Sequence, residues 1–308
     1  MKKAANILLL LLGLFLAPAL VTAQPSIQPS LPSGTIATPS LWHVKGDPLK
    51  GYKGEVYLFG SVHVLPPHVQ WRSQPIRRGL SRSDVYVFEV PQDEKAVAEL
   101  QGLIQAKGYL PPGQSLRALL HPEARTDLDA ALAAAGLPAE AVDHARPWLA
   151  GIQLMFAQIS KLKYAASNGV DSVLMEEALR NNKPIRYFET IADQFALLAP
   201  DDRDLELEEF ESGLDDLRDV AAGIQPMVTA WANGDQAKLD ELINGDLDKF
   251  PKARKMLLDD RNQRWVPKIE AMLKEKHVFF ITVGAGHLTG AKGVPALLRK
   301  AGYTVEGP

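Results

Sequence analysis

Two short stretches carry residues that can do chemistry at matching positions. Gly60-Ser61-Val62-His63 follows the apolar run Glu55-Val56-Tyr57-Leu58-Phe59, and Gly284-Ala285-Gly286-His287 follows Val278-Phe279-Phe280-Ile281-Thr282-Val283. Each is a glycine with histidine at i+3, placed where a buried strand is expected to end. Glycine allows a sharp exit from a sheet. Ligands of open α/β sheets bind outside the carboxyl ends of the strands. The pattern therefore predicts that His63 and His287 share one site. Two further strands, Asp84–Val90 and Pro184–Glu189, carry carboxylates at their ends, Glu89 and Glu189. A carboxylate at the end of a buried strand needs a partner or a ligand.

Imidazole and carboxylate are ligands for Zn²⁺, Mn²⁺ or Co²⁺, and a catalytic ion needs about three of them plus an open position. His63, His287 and Glu89 are the candidate metal ligands, and Glu189 is the candidate general base or alternative ligand. The ion would acidify water and polarise a carbonyl. A metal-free alternative makes His63 a general base oriented by Glu89. Arg261 and Asn262 are candidates for stabilising an oxyanion or holding a substrate carboxylate. A salt bridge from Arg261 to the acidic stretch 201–219 is the structural alternative. Ser61 is a candidate substrate contact, since no G-x-S-x-G nucleophile elbow surrounds it. Asp171 is a further candidate contact, and it also has the position of an N-cap before a helix at Ser172–Asn181.

The elements that must position these residues follow from the rest of the chain. Leu41–Val44 and Glu55–Phe59 read as a hairpin, and His43 within it as a solvent-facing residue. Residues 94–107, 115–120, 122–135 and 147–164 are helical in pattern, as is most of 190–273. A long helix is expected over Phe250–Leu273, broken or begun again near Pro267. The chain ends in a helix, Gly293–Ala301, and a strand, Tyr303–Glu306. The expected fold is α/β: a central mixed sheet built from N- and C-terminal strands, with a mostly helical insertion at about 94–165 and 190–273. The sheet should join 55–60, 85–90, 185–188 and 278–283.

The chain has 308 residues, a net charge of −3 and no cysteine. Disulfides and a cysteine-linked lipid anchor are excluded. No basic stripe suggests nucleic acid. Met1-Lys2-Lys3, the apolar Ile7–Leu16 and Val21-Thr22-Ala23 read as a signal peptide over 1–23, with cleavage before Gln24. The expectation is a periplasmic or secreted protein with no membrane span after cleavage. Residues 24–39 read as a flexible leader before a domain over 40–308.

The ordered set of motifs resembles the TraB/PrgY/GumN family, in particular its GumN-like bacterial branch. It runs Leu41-Trp42-x-Val44, Leu58–Pro66, Ser83-Asp84, Phe88-Glu89-Val90, Arg146-Pro147-Trp148-Leu149, Gly169-Val170-Asp171 and Phe188-Glu189-Thr190. It continues with Trp231-x-x-Gly234-Asp235, Arg261-Asn262-x-x-Trp265 and Val283–Gly290. Ser61 stands where Thr is common, and Phe188 where Leu is common. The resemblance implies kinship with the Tiki metal-dependent proteases, and a fold like that of erythromycin-esterase-like and ChaN-like proteins with the two histidines facing. It implies a metal-dependent hydrolase of peptide, ester or amide bonds. The alternative from another class is a non-catalytic module that binds peptide, haem or polysaccharide.

Overall fold

A computed structural model describes residues 36–47, 49, 51–199, 202–248 and 250–308. The expected signal peptide, and most of the leader, lie outside these residues. The strands are β1 (Leu41–Lys45), β2 (Glu55–Ser61), β3 (Val85–Phe88), β4 (Ile185–Tyr187), β5 (Val278–Gly284) and β6 (Val305–Glu306). The first helices are α1 (Gln74–Arg82), α2 (Glu94–Lys107), α3 (Leu116–Leu119), α4 (Pro122–Ala135), α5 (Pro147–Lys161), α6 (Val170–Arg180) and α7 (Ile191–Leu198). They are followed by α8 (Arg203–Gly213), α9 (Val220–Ala232), α10 (Gln236–Leu247), α11 (Pro251–Arg254), α12 (Asp260–Lys274) and α13 (Val294–Lys300).

The sheet is mixed, in the order β4-β3-β5-β2-β1-β6. Strands β4, β3, β5 and β2 run parallel, and β1 is antiparallel to both β2 and β6. The four expected central strands are thus neighbours, and their carboxyl ends form one row. The β2–β5 register sets Tyr57 beside Phe280, Phe59 beside Thr282 and Ser61 beside Gly284. One face carries Val56, Leu58, Val85, Val87, Phe279, Ile281 and Val283. These pack with Trp265, Ile269 and Leu273 of α12 and Val294 and Leu298 of α13. The other face carries aromatics: Phe59 lies 5.6 Å from Trp71 and 6.4 Å from Trp231 between ring centroids. Burial of both faces explains why these strands read as continuous apolar runs.

The chain folds as two compact units. Among the described residues the sheet unit holds those within 36–91, 166–190 and 226–308. Helices α10 to α12 therefore group with the sheet, not with the helical unit. The helical unit holds 92–165 and 191–225. Inside it Glu206 accepts hydrogen bonds from Arg146 Nε at 3.1 Å and from the Trp148 backbone N–H at 3.1 Å. That carboxylate satisfies an orphan donor in the first turn of α5. The Arg-Pro-Trp motif at 146–148 is thus part of a helix start.

Several local expectations are corrected. Strand β2 continues through Gly60 to Ser61. A Cβ at Gly60 would stand 3.1 Å from the Ala285 backbone, so glycine serves the close approach of the second motif. Neither motif glycine has a positive φ. Helix α12 passes through Pro267 unbroken, and the irregularity is a π turn at Lys255–Asp259. Helix α6 begins at Val170 with Gly169 as its N-cap. His43 is largely buried rather than solvent-facing, bonded to Glu55 at 2.9 Å and stacked on Tyr57.

Candidate functional site

The carboxyl ends of β2, β3, β4 and β5 bring His63, Glu89, Glu189 and His287 together within the sheet unit. The loop after β2 docks on the start of α6, where the Val170 N–H donates to Val62 O at 3.1 Å. Only glycine fits at 169, because a Cβ there would overlap the His63 carbonyl. This contact sets His63 Nδ1 2.8 Å from Asp171 Oδ2. Asp171 is therefore the partner of His63 and not a helix cap. The ring is 9% exposed, and its Nε2 is buried without a hydrogen-bond partner. With the Nδ1 proton donated to the carboxylate, Nε2 carries the free lone pair.

Gly284 shows how closely the groups converge. A Cβ built there would lie 3.4 Å from Glu89 Oε1, 3.6 Å from His63 Nε2 and 3.7 Å from His287 Cδ2. His63 through Nε2 and His287 through Cδ2 thus both approach one small space beside Gly284. Ser61, paired with Gly284 in register, is buried and its Oγ also lacks a partner. Glu89 Oε1 accepts the Gly284 N–H at 2.6 Å.

Arg261 is at the centre of the cluster. It is 1% exposed, not on a rim as an oxyanion or substrate clamp requires. It pairs with Glu89 and Glu189, not with the acidic stretch 201–219. Its Nε donates to Glu189 Oε1 at 2.8 Å, and its Nη2 to Glu189 Oε2 at 2.8 Å and to Glu89 Oε2. Its Nη1 donates to Leu257 O at 3.1 Å and to His287 Nε2 at 3.0 Å. A guanidinium has five N–H groups, and here all have acceptors. Burial opposes its charge, but Glu89 and Glu189 outweigh that and raise its pKa. The Leu257 carbonyl comes from the π turn, a feature that often marks functional sites.

His287 sits in a short 3₁₀ turn after β5. Its Nδ1–H donates to Asn262 Oδ1 at 2.7 Å, and Asn262 Nδ2 donates to Lys292 O at 3.0 Å. Asn262 thus orients His287 rather than a substrate. Burial and then the neighbouring Arg261 hold the His287 pKa well below its ordinary value, so the ring is neutral. His63 differs. Burial lowers its pKa, yet the carboxylates of Asp171 and then Glu89 together outweigh burial and the net shift is upward. Trp265, which residue chemistry did not single out, completes the group. Its Nε1 donates to Glu189 Oε1 at 3.1 Å, and its ring lies 4.4 Å from His287 and 4.9 Å from Arg261 Cζ.

For the expected metal ligands the donor arrangement is unfavourable. Both nitrogens of His287 are engaged, and both oxygens of Glu89 accept bonds. Only His63 Nε2 is open. No group of three or more potential ligands suited to an ion is found among the described residues. His63, His287 and Glu89 as placed do not fit a divalent metal, because a resident guanidinium takes two of them.

Fold and site define an α/β protein in which adjacent parallel strand ends deliver two carboxylates and one histidine onto a buried arginine, with a second histidine held beside them by Asp171. The chain belongs to the TraB/PrgY/gumN family, whose pattern matches residues 40–307. It is 28% identical over 153 residues to the uncharacterized protein YbaP of Escherichia coli K12, covering 49% of this chain and 56% of YbaP. It is 25% identical over 322 residues to the metalloprotease TIKI1 of Danio rerio, covering 86% of this chain and 62% of TIKI1. The matches thus span under two thirds of each relative's own length. No solved structure matches the chain.

Proposed function

We propose that this protein is an exported hydrolase of acyl bonds, acting on a peptide or a small ester or amide, with His63 as general base. The observation that carries this reading is the unpartnered Nε2 of a buried histidine whose other nitrogen is held by Asp171. The family membership and the likeness to a metalloprotease make hydrolysis the favoured reaction class. Water placed in the space left by Gly284 gives its proton to His63 Nε2 as its oxygen adds to the substrate carbonyl. The imidazolium then returns that proton to the leaving group. Asp171 fixes the tautomer and stabilises the imidazolium in between. Glu89 orders the Gly284 backbone beside that space, and Asn262 and Arg261 fix His287 as its neutral wall.

The likeness to TIKI1 also raises Zn²⁺, Mn²⁺ or Co²⁺ as a cofactor. The donor set as arranged does not fit such an ion, because Arg261, Asn262 and the Gly284 N–H already engage His287 and Glu89. Export rests on Met1–Ala23, and no described helix is long and apolar enough to cross a membrane.

A panel of nitrophenyl esters and fluorogenic peptides, assayed with the mature protein and with His63→Ala, tests the reaction. Turnover that vanishes in the variant while the unfolding midpoint holds is the expected result. Equal turnover by the variant, or none by the wild type across the panel, would overturn it. N-terminal sequencing of protein from the periplasm should start near Gln24; a start at Met1 would contradict export.

A further inference from the structure

The acceptors around Arg261 form an unusual collar for an arginine. Two carboxylates, Glu89 and Glu189, the imidazole Nε2 of His287 and the carbonyl of Leu257 all point at one guanidinium. One neutral imidazole and two carboxylates are also a common donor set for a divalent ion. His287 is held as a ligating imidazole usually is: its Nδ1–H is fixed by Asn262, which leaves Nε2 as the electron-pair donor. Here that lone pair is spent on Arg261 Nη1.

We infer that the Arg261 guanidinium is the resident cation of this centre, occupying the place that a divalent metal would take among Glu89, Glu189 and His287. Three observations agree. Every N–H of the guanidinium has an acceptor, so the charge is permanently seated and is not waiting for a substrate carboxylate. The side chain is 1% exposed and lies against the Trp265 ring, which closes it off from water. A dication placed beside it would meet an unscreened like charge in a low-dielectric interior, while displacing the arginine would bury a cation without its carboxylates. The collar therefore has the donor types of a metal site, but it is spaced around a guanidinium and forms no ion-sized group among the described residues. The inference rests on donor assignments and not on turnover, so a failure to hydrolyse any substrate leaves it standing.

The experiment measures metal content and not activity. Untagged mature protein is equilibrated with Zn²⁺, Mn²⁺ or Co²⁺, desalted and analysed, alongside Arg261→Ala, Arg261→Ala/His287→Ala and His287→Ala. The wild type should retain no metal that depends on His287, and its unfolding midpoint should not move with added ion or chelator. Arg261→Ala should gain about one equivalent per chain, with a Co²⁺ absorption band that disappears in the double variant. Wild-type uptake lost in His287→Ala would overturn the inference, as would a folded Arg261→Ala that takes up nothing. Should Arg261→Ala not fold, the wild-type arm decides. His287-dependent retention there refutes the inference. No retention, or retention that survives His287→Ala and so lies elsewhere, supports it.

Discussion

His63 Nδ1 lies 2.8 Å from Asp171 Oδ2, although 108 residues separate the two in sequence. Asp171, joined by Glu89, raises the His63 pKa above its ordinary value of 6.5 against the effect of burial. A general base works in its neutral form. Turnover should therefore rise with pH through an apparent pKa above that value. Asp171→Asn removes the charge that raises it, so the acidic limb should move to lower pH and kcat should fall roughly 100-fold or more. A pH profile of kcat/KM for both proteins checks this, and a limb that stays in place would show that Asp171 does not tune His63.

His63 and His287 should bend the stability curve in opposite directions. His63 has a raised folded pKa, so its contribution is full below the unfolded value and is lost as pH rises through the folded value. His287 has a depressed pKa and stays neutral in the fold. Below the unfolded pKa the unfolded chain binds a proton that the native state refuses, so His287 costs stability as pH falls. Urea unfolding across about pH 5 to 8 should show His287→Gln flattening the acid-side decline and His63→Gln steepening it. Parallel shifts of both curves would contradict the assignments.

Arg261 ties three strand ends to α12, so its loss leaves two carboxylates buried without their cation. Arg261→Ala should cost about 3–5 kcal/mol. Arg261→Lys should recover only part of this, since an ammonium keeps the charge but loses the planar fork. Chemical denaturation of the three proteins measures the loss. A cost under about 1 kcal/mol for the alanine variant would mean that water reaches the cluster far more freely than its burial implies.

The two glycines that frame His63 should separate access from stability. Gly284→Ala adds a methyl 3.4–3.7 Å from Glu89, His63 and His287, which is ordinary contact, but it fills the space before Nε2. Its unfolding midpoint should hold while kcat/KM collapses. Gly169→Ala drives a methyl into the His63 carbonyl and should destabilise the fold outright. Both follow from thermal unfolding and one esterase or peptidase assay. A fully active Gly284→Ala would place the reacting water elsewhere.

Much of the fold and site is legible in the sequence because period and punctuation are local. Apolar runs ending in Gly, at 56–60 and 278–284, are read without knowing their neighbours, and so are the strand-end glutamates. The β2–β5 pairing only has to bring them side by side, which a parallel sheet does. Roles are harder. Arg261 and Asn262 read as substrate-facing because a polar pair on an amphipathic helix is usually solvated. Nothing in residues 255–262 announces the π turn that directs them inward. Asp171 has the sequence of a cap because caps and first-turn residues share the same preferences.

The sequence by itself determined which side chains reach the ends of the central strands, because alternation, apolar runs and glycines act within a few residues. It also determined that the chain carries two matching histidine turns and the motif order of its family. Only the tertiary structure decided what those side chains do to one another. Whether His287 offers a lone pair or spends it depends on a guanidinium 3.0 Å away from another element. Whether His63 is a base depends on a carboxylate at the start of α6. Hydrogen bonding and pKa are set by distance and burial, and those exist only once the helices have closed over the strand ends.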